Sequence, residues 1–184
     1  MTPREPKPWT LVARGEPRDY QILRVREDLL ADPRTGKPHP RVIIDAPDWV
    51  NVIAVTPAQQ VVLIRQFRAG IFANCLEIPG GMVDAGEDPA RAAARELEEE
   101  TGYRPGTLRA LGFCHPNPAL QGNRIHSFLA EGCQRVCEPH LDEGEDISVE
   151  LVDRAQVDRL IGDGRITHAL VLAAFLFEKT LRAG

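Results

Sequence analysis

Long hydrophobic runs are missing from this sequence. No stretch approaches the roughly 18 to 20 consecutive apolar residues that a membrane span needs, although 43% of its 184 residues are hydrophobic. The opening residues, MTPREPKPW, lack the apolar core of a secretory leader. Both absences lead to the expectation of a cytoplasmic protein with no membrane partner. Cysteine is sparse. Cys75, Cys114, Cys133 and Cys137 are scattered, and the last two lack a second metal-type pair, so reduced, partly buried thiols are expected. Positive charge is not in excess either. A formal net charge of −5, with no basic patch and no helix-turn-helix pattern, argues against a nucleic-acid partner. An Asp/Asn-rich calcium loop is absent too. There is no internal repeat. What is present, 27% charged residues among the apolar ones, fits one globular domain with or without an arm.

The chain opens with a Pro-rich, charged stretch over residues 1–8 that predicts a loose tail. Alternation predicts strands over Trp9 to Arg14, Tyr20 to Glu27 and Arg41 to Asp45, with a turn at Asp32 to Lys37. Together they make a small antiparallel sheet. Such a sheet is too small to stand alone, so it needs the main domain or a second subunit. The expected division is an N-terminal arm over 1–46 and a main domain over 47–184. Val52 to Thr56 and Val61 to Phe67 are apolar runs split by Pro57-Ala58-Gln59-Gln60, a hairpin signal. Arg65 and Arg68 close the second run, and guanidinium groups suit bidentate phosphate contact; a plain surface pair is the alternative. Glu77 follows on an apolar strand, where it either bonds a ligand or pairs with an arginine. Trp49 either stacks on a base or packs in the core or an interface.

Further on, Leu108 to Cys114 reads as a strand, and His115 to Asn123 as a loop with no core pattern, a candidate lid. Arg124 to Ala130 alternates, with Ile125, Ser127 and Leu129 against His126 and Phe128. An acidic loop spans Glu138 to Asp146, before a strand over Ile147 to Val152. Asp153 is placed to cap a helix over Arg154 to Ile161, and Thr167 to cap a last helix with Leu170, Ala174, Phe177 and Leu181 on one face. His115, His126, His140 and His168 show no paired metal spacing and receive no role.

The most informative stretch is Gly80 to Tyr103, GGMVDAGEDPARAAARELEEETGY. Asp88 suits the N-cap of a helix, Pro89 its first position and Gly102 its end. Ala90, Ala94, Leu97 and Thr101 fall on one side at helical spacing, and Arg95, Glu96, Glu99 and Glu100 on the other. Glu96 and Glu100 lie one turn apart with Glu99 beside them. Like charges at this spacing repel by roughly 0.2–0.5 kcal/mol per pair, a cost that a cation removes. Mg²⁺ and Mn²⁺ favour carboxylate oxygens, and Mg²⁺ bridges readily to phosphate. A solvated acidic face is the plain alternative.

The spacing decides between them. From Gly81, five residues lead to Glu87, seven more to Arg95, and then Glu96, Leu97, Glu98, Glu99, Glu100, Thr101, Gly102 and Tyr103 follow. This resembles the Nudix box, Gx5Ex7REUxEExGU, with U a bulky aliphatic residue. Every fixed position matches, and Tyr103 in the last U position is the one departure. The resemblance implies hydrolysis of a nucleoside diphosphate linked to another moiety. It implies an α/β fold, the Nudix α/β/α sandwich around a mixed sheet, plus the small N-terminal antiparallel sheet. The chain is similar to the ADP-ribose pyrophosphatase and nucleoside-diphosphate-sugar hydrolase branch in three respects. It has the N-terminal sheet, which in that branch is exchanged between the subunits of a homodimer. It has Pro118, fifteen residues past Tyr103. It also has the loop Leu141 to Ile147, which resembles the branch's catalytic loop. Carried over, Glu143 is the general base and Glu145 its metal-side partner. Glu96, Glu99, Glu100 and the Gly80 carbonyl hold Mg²⁺, or Mn²⁺ in its place. Arg95 orients the carboxylates by pairing with Glu87, and Glu99 counts among the catalytic groups as well as the ligands. Arg68, Arg65, Glu77, Trp49 and Pro118 meet a nucleoside diphosphate sugar. The loop after the box reads HPNPALQGNR where the branch more usually has a Ser-Pro-Gly type, which leaves the sugar open. The rivals are a Nudix hydrolase for a dinucleotide, NADH or a nucleoside triphosphate, and a ligand-sensing Nudix domain without turnover.

Overall fold

The computed structural model describes residues 5–182. Part of the expected tail, residues 1–4, lies outside the described residues, and Glu5–Pro8 carry no regular structure. The chain forms two units: residues up to Pro47 with His115–Asn123, and Asp48–Cys114 with Arg124 onward.

In the first unit, β1 (Thr10–Ala13), β2 (Arg18–Tyr20) and β4 (Pro38–Asp45) all pair antiparallel with β3 (Leu23–Ala31). The strand expected over Tyr20 to Glu27 is two strands. Gln21 takes a left-handed conformation, φ 32°, and turns β2 back onto β3. The turn at Asp32 to Lys37 closes β3 onto β4, with Gly36 at φ 71° and the Asp32 carboxylate accepting from the Arg34 N–H at 2.7 Å. The loop His115–Asn123 belongs here: the Ile44 N–H donates to the Leu120 carbonyl (2.8 Å), and Asn123 Nδ2 to the Pro47 carbonyl (2.9 Å). Leu11, Val12, Tyr20, Ile22 and Val42 stay exposed.

The second unit is built on β5 (Trp49–Val55), β6 (Gln60–Arg68), β7 (Ala73–Glu77), β9 (Thr107–Cys114), β10 (Ile125–Glu131) and β12 (Ile147–Asp153). Their order is β12-β6-β5-β10-β9, with β7 also on β6. Strand β10 runs parallel to β5 and every other pair is antiparallel, so the sheet is mixed. The start of β6 pairs with β5 and its end with β7. The chain leaving β7 then runs back along β5, where Val52 and Val50 donate to the carbonyls of Pro79 and Gly81 (2.9 Å each). A two-stranded ribbon, β8 (Tyr103–Arg104) with β11 (Gln134–Arg135), completes the strands.

Alternate residues of the sheet enter two separate cores. Ile53, Val55, Leu63 and Leu129 pack against Val157 and Leu160 of α2 (Val157–Gly162) and Val171, Ala174 and Phe175 of α3 (Ala169–Arg182). Val50, Val52, Ala54, Val62, Phe128 and Ala130 pack against Ala92, Ala93 and Leu97 of α1 (Pro89–Thr101). This is an α/β/α sandwich. It explains why β10 buries both faces, Phe128 as well as Leu129, against the one-sided alternation: a strand covered on both sides is apolar throughout.

Three expectations in the helices are corrected. Arg154–Gln156 form a short 3₁₀ turn before α2, and Asp153 makes no side-chain cap. At α3 the capping side chain is His168 rather than Thr167: its Nδ1 accepts from the Leu170 N–H at 3.2 Å. The buried face of α3 is centred on Val171, Ala174, Phe175 and Glu178; of the expected Leu170, Ala174, Phe177 and Leu181, Ala174 is buried, Leu170 and Phe177 are half-buried with Phe177 against the same core, and Leu181 is exposed. The face is turned by about one residue because Phe175 and Val171 reach the sheet.

Candidate active site

Helix α1 starts and stops where its sequence directs. The Asp88 carboxylate accepts from the Ala90 and Arg91 N–H groups, Pro89 occupies the first turn, and Gly102 ends the helix at φ 74°. Its buried stripe is Ala93, Leu97 and Thr101 with Ala92, whereas Ala90 and Ala94 are only half-buried. Glu100 does not lie on a solvated face: it is 4% exposed.

Two glycines bring the preceding chain against this helix. The Gly80 N–H donates to Glu100 Oε2 at 2.8 Å. A Cβ at Gly80 would collide with the Val50 carbonyl, and one at Gly81 would stand 2.5 Å from the Glu96 carboxyl. At Gly80 the obstacle is backbone, so only glycine fits; at Gly81 the Glu96 side chain would have to move aside. Arg95 lies across the outer edge. Its Nε and Nη2 meet Glu87 (3.2 and 3.0 Å), its Nη1 meets Glu96 and Glu99 (2.9 Å each), and its Nη2 also reaches the Met82 carbonyl (3.1 Å). The Glu87 partnership, expected from the box, is in place. It holds the Glu87 carboxyl below its usual range and raises the Arg95 guanidinium well above its own.

Deeper in, burial outweighs the partners that the carboxylates have. Burial raises Glu96, against the opposing pull of Arg95. Burial pushes Glu100 up to about 8, the Gly80 N–H works against this, and the charges of Glu96 and Glu145 add to it. The charge of Glu145, on the acidic loop, is thus felt at Glu96 and Glu100. Within that loop Glu145 Oε2 accepts from the Asp142 N–H at 3.1 Å, and the His140 N–H ties the loop to the Glu99 carbonyl at 2.8 Å. Glu143 stands exposed at the turn beside Gly144 (φ 92°).

The remaining expected residues fall into three places. Arg68 and Glu77 face each other from adjacent strands: Arg68 Nε and Nη2 donate to the two Glu77 oxygens at 2.8 Å each, and the Glu77 side chain is 3% exposed. Of the two alternatives for Glu77, the pairing with an arginine is present. Arg65 pairs outward with Glu150 of β12 at 3.0 Å. Trp49 is half-buried at the start of β5, its N–H on the Arg124 carbonyl (2.8 Å) and its backbone bridged to Met82. Pro118 is exposed in the loop of the first unit. The residue missed in the sequence is His168, whose Nε2 lies 3.9 Å from Glu77 Oε2. Its signal was weak, because Thr167 beside it is the more usual cap.

Among the described residues no three acidic, histidine or cysteine side chains converge as a finished metal set. Glu96 and Glu99 turn to Arg95, and Glu100 turns to Gly80. The donor chemistry nevertheless fits a hard divalent cation. Glu96, Glu99 and Glu100 offer hard oxygen donors along one edge of α1, and burial first, then the neighbouring negative charges, raises the Glu100 carboxyl, a cost that a cation would relieve.

Comparison with known proteins bears on the same residues. An ADP-ribose pyrophosphatase of Bacillus subtilis (strain 168) is 36% identical over 125 residues, covering 68% of this chain and 67% of that protein. A methanol dehydrogenase activator of Bacillus methanolicus is 35% identical over 118 residues, covering 64% and 63%. This chain thus spans about two thirds of the length of these relatives. Among solved structures, an ADP compounds hydrolase superposes with a TM-score of 0.85 at 19% identity, over 97% of this chain and 96% of that one, a likeness of fold. Residues 47–175, which include every element of the sandwich up to Phe175 of α3, match the NUDIX domain, and the chain belongs to the NUDIX family.

Proposed function

We propose that this enzyme hydrolyses the pyrophosphate bond of nucleoside diphosphate sugars, with ADP-ribose first among them, giving AMP and ribose 5-phosphate. The observation that carries the reading is the arrangement on α1: Glu96, Glu99 and Glu100 beside Gly80 and Gly81, with Arg95 anchored by Glu87. The similarity to an ADP-ribose pyrophosphatase supports the substrate.

Glu96, Glu99, Glu100 and the Gly80 carbonyl would hold Mg²⁺, with Mn²⁺ as a substitute. Such a cation neutralises diphosphate oxygens and lowers the pKa of a bound water. Arg95 steadies the carboxylates from the outer edge. Arg68, oriented by Glu77 through Nε and Nη2, keeps Nη1 for a diphosphate oxygen. Glu143 takes the proton from the attacking water, on a loop that Glu145 braces from within and the His140 N–H ties to α1. Trp49 and Arg65 border the substrate. Pro118 belongs to the loop that selects the sugar. The exposed apolar residues of the small sheet support a homodimer formed through an exchanged N-terminal sheet, the arm being residues 1–46 and the catalytic domain 47–184. Among the described residues no helix is long and apolar enough to cross a membrane, which is compatible with a cytoplasmic site of action.

The test is product analysis by anion-exchange chromatography after incubation with Mg²⁺ and one of ADP-ribose, ADP-glucose, UDP-glucose, GDP-mannose, NADH, a diadenosine polyphosphate or a nucleoside triphosphate. Fastest conversion of ADP-ribose or another sugar nucleotide to a nucleoside monophosphate and a sugar phosphate is expected. Preference for the triphosphate or a dinucleotide would overturn the substrate assignment.

A further inference from the structure

This inference rests on the reading of Arg68 as the diphosphate contact. We propose that His168 is a positioning residue for that contact. It stands behind the buried Glu77 as a second N–H partner, so that Arg68 can turn toward substrate without leaving the carboxylate uncompensated.

Arg68 is bound to Glu77 through both Nε and Nη2, while its side chain is 40% exposed and that of Glu77 only 3%. Any pull on the guanidinium by a diphosphate therefore weakens the pairing of a buried carboxylate, which is costly when nothing replaces it. His168 is held where a replacement is needed. Its Nδ1 is committed to the Leu170 N–H, so the neutral ring carries its proton on Nε2. That nitrogen lies 3.9 Å from Glu77 Oε2, beyond hydrogen-bonding range by less than about 1 Å. A small rotation of the ring closes the gap. The ring's base is fixed: Val171 and Leu172 N–H groups donate to the His168 carbonyl (3.0 and 3.1 Å), and Asn51 Nδ2 donates to the Leu170 carbonyl (3.0 Å), pinning the first turn of α3 to β5. Capping alone does not need an imidazole, since asparagine caps as well or better. What imidazole adds is the outward N–H toward Glu77.

The difference between these two roles is the test. His168→Asn keeps a capping acceptor and loses the reach to Glu77. His168→Gln carries an amide N–H one methylene further out. Steady-state kinetics of the full chain with ADP-ribose and Mg²⁺ are run beside thermal melts. For His168→Asn the expected result is a KM raised about threefold to tenfold, the scale of one weakened charged hydrogen bond, with kcat within about twofold. Its Tm stays near that of the parent, and His168→Gln recovers part of the KM. In a Glu77→Gln background, His168→Asn adds no further change in KM. A parental KM in His168→Asn, or equal additional loss in the Glu77→Gln background, would overturn the proposal while leaving the enzyme's activity intact. A parent protein that cleaves no nucleoside diphosphate derivative would overturn the underlying reading and this one with it.

Discussion

Two glutamate-rich regions meet at the site, and they differ in kind. On α1 the carboxylates are carried by a capped helix, set beside the glycines, and partnered by Arg95 and the Gly80 N–H. In the loop Glu138 to Asp146 they are exposed, and the loop is held by its own side chain at Glu145 and by one backbone bond at His140. The same residue type therefore does opposite work. Burial raises Glu96 and Glu100 and makes a place that favours a cation. Exposure suits Glu143 to the role of base proposed for it, which needs a group that can approach a water and withdraw. A rigid helix suits ligands whose spacing matters; a loop suits a group that must move with a proton.

The largest effect that would break this comparison is on α1. Glu100→Gln should keep the fold and lose Mg²⁺-dependent turnover by on the order of several hundredfold, about 3–4 kcal/mol of barrier. Circular dichroism and initial rates check this, and a rate near the parent's would remove Glu100 from the site. In the loop, Glu143→Gln should lower kcat by roughly a hundredfold with the Mg²⁺ titration midpoint unchanged, whereas Glu145→Gln should move the midpoint upward. If Glu143→Gln shifted the midpoint instead, the roles of the two residues would be exchanged.

Smaller effects sharpen the contrast in stability. Without divalent ions, folded Glu100 keeps its proton up to about pH 8, while an unfolded glutamate releases it near 4.5. Between these values the folded state binds more protons, so stability falls as pH rises across that window. Urea midpoints in chelator should drift downward from pH 5 to pH 8, and Glu100→Gln should flatten the drift; a slope unaltered by the substitution would assign it to other groups. Smallest of all, Asp88→Ala removes the cap of α1 and should cost about 1 kcal/mol of stability by chemical denaturation. The same substitution at Asp142, in the exposed loop, should cost nothing measurable.

Much of α1 was legible because its information is local. Asp88, Pro89 and Gly102 mark the ends by rules that act within one turn, and the box is a matter of spacing along the chain. The sandwich followed from the same resemblance. What escaped depended on contacts between distant segments. Nothing near Leu170 announces that α3 turns Val171 and Phe175 to the sheet. Nothing in Phe128 announces that α1 covers its side of β10. Gln21 broke an apparent strand because one residue adopted a left-handed backbone, which its own type does not signal. The depth of Glu100 likewise depends on a distant contact, the Gly80 N–H that holds its carboxylate inward.

Arg95 has a further consequence, and it concerns time. Because one guanidinium already joins Glu87, Glu96 and Glu99, the resting protein brings its own counter-ion to the acidic patch. It should fold and be stored in chelator without harm, and metal uptake should be gated by the release of Glu96 and Glu99 from that arginine. In rapid-mixing experiments the loading rate would then level off at high Mg²⁺ rather than rise in proportion to it, and Arg95→Lys would lift the plateau.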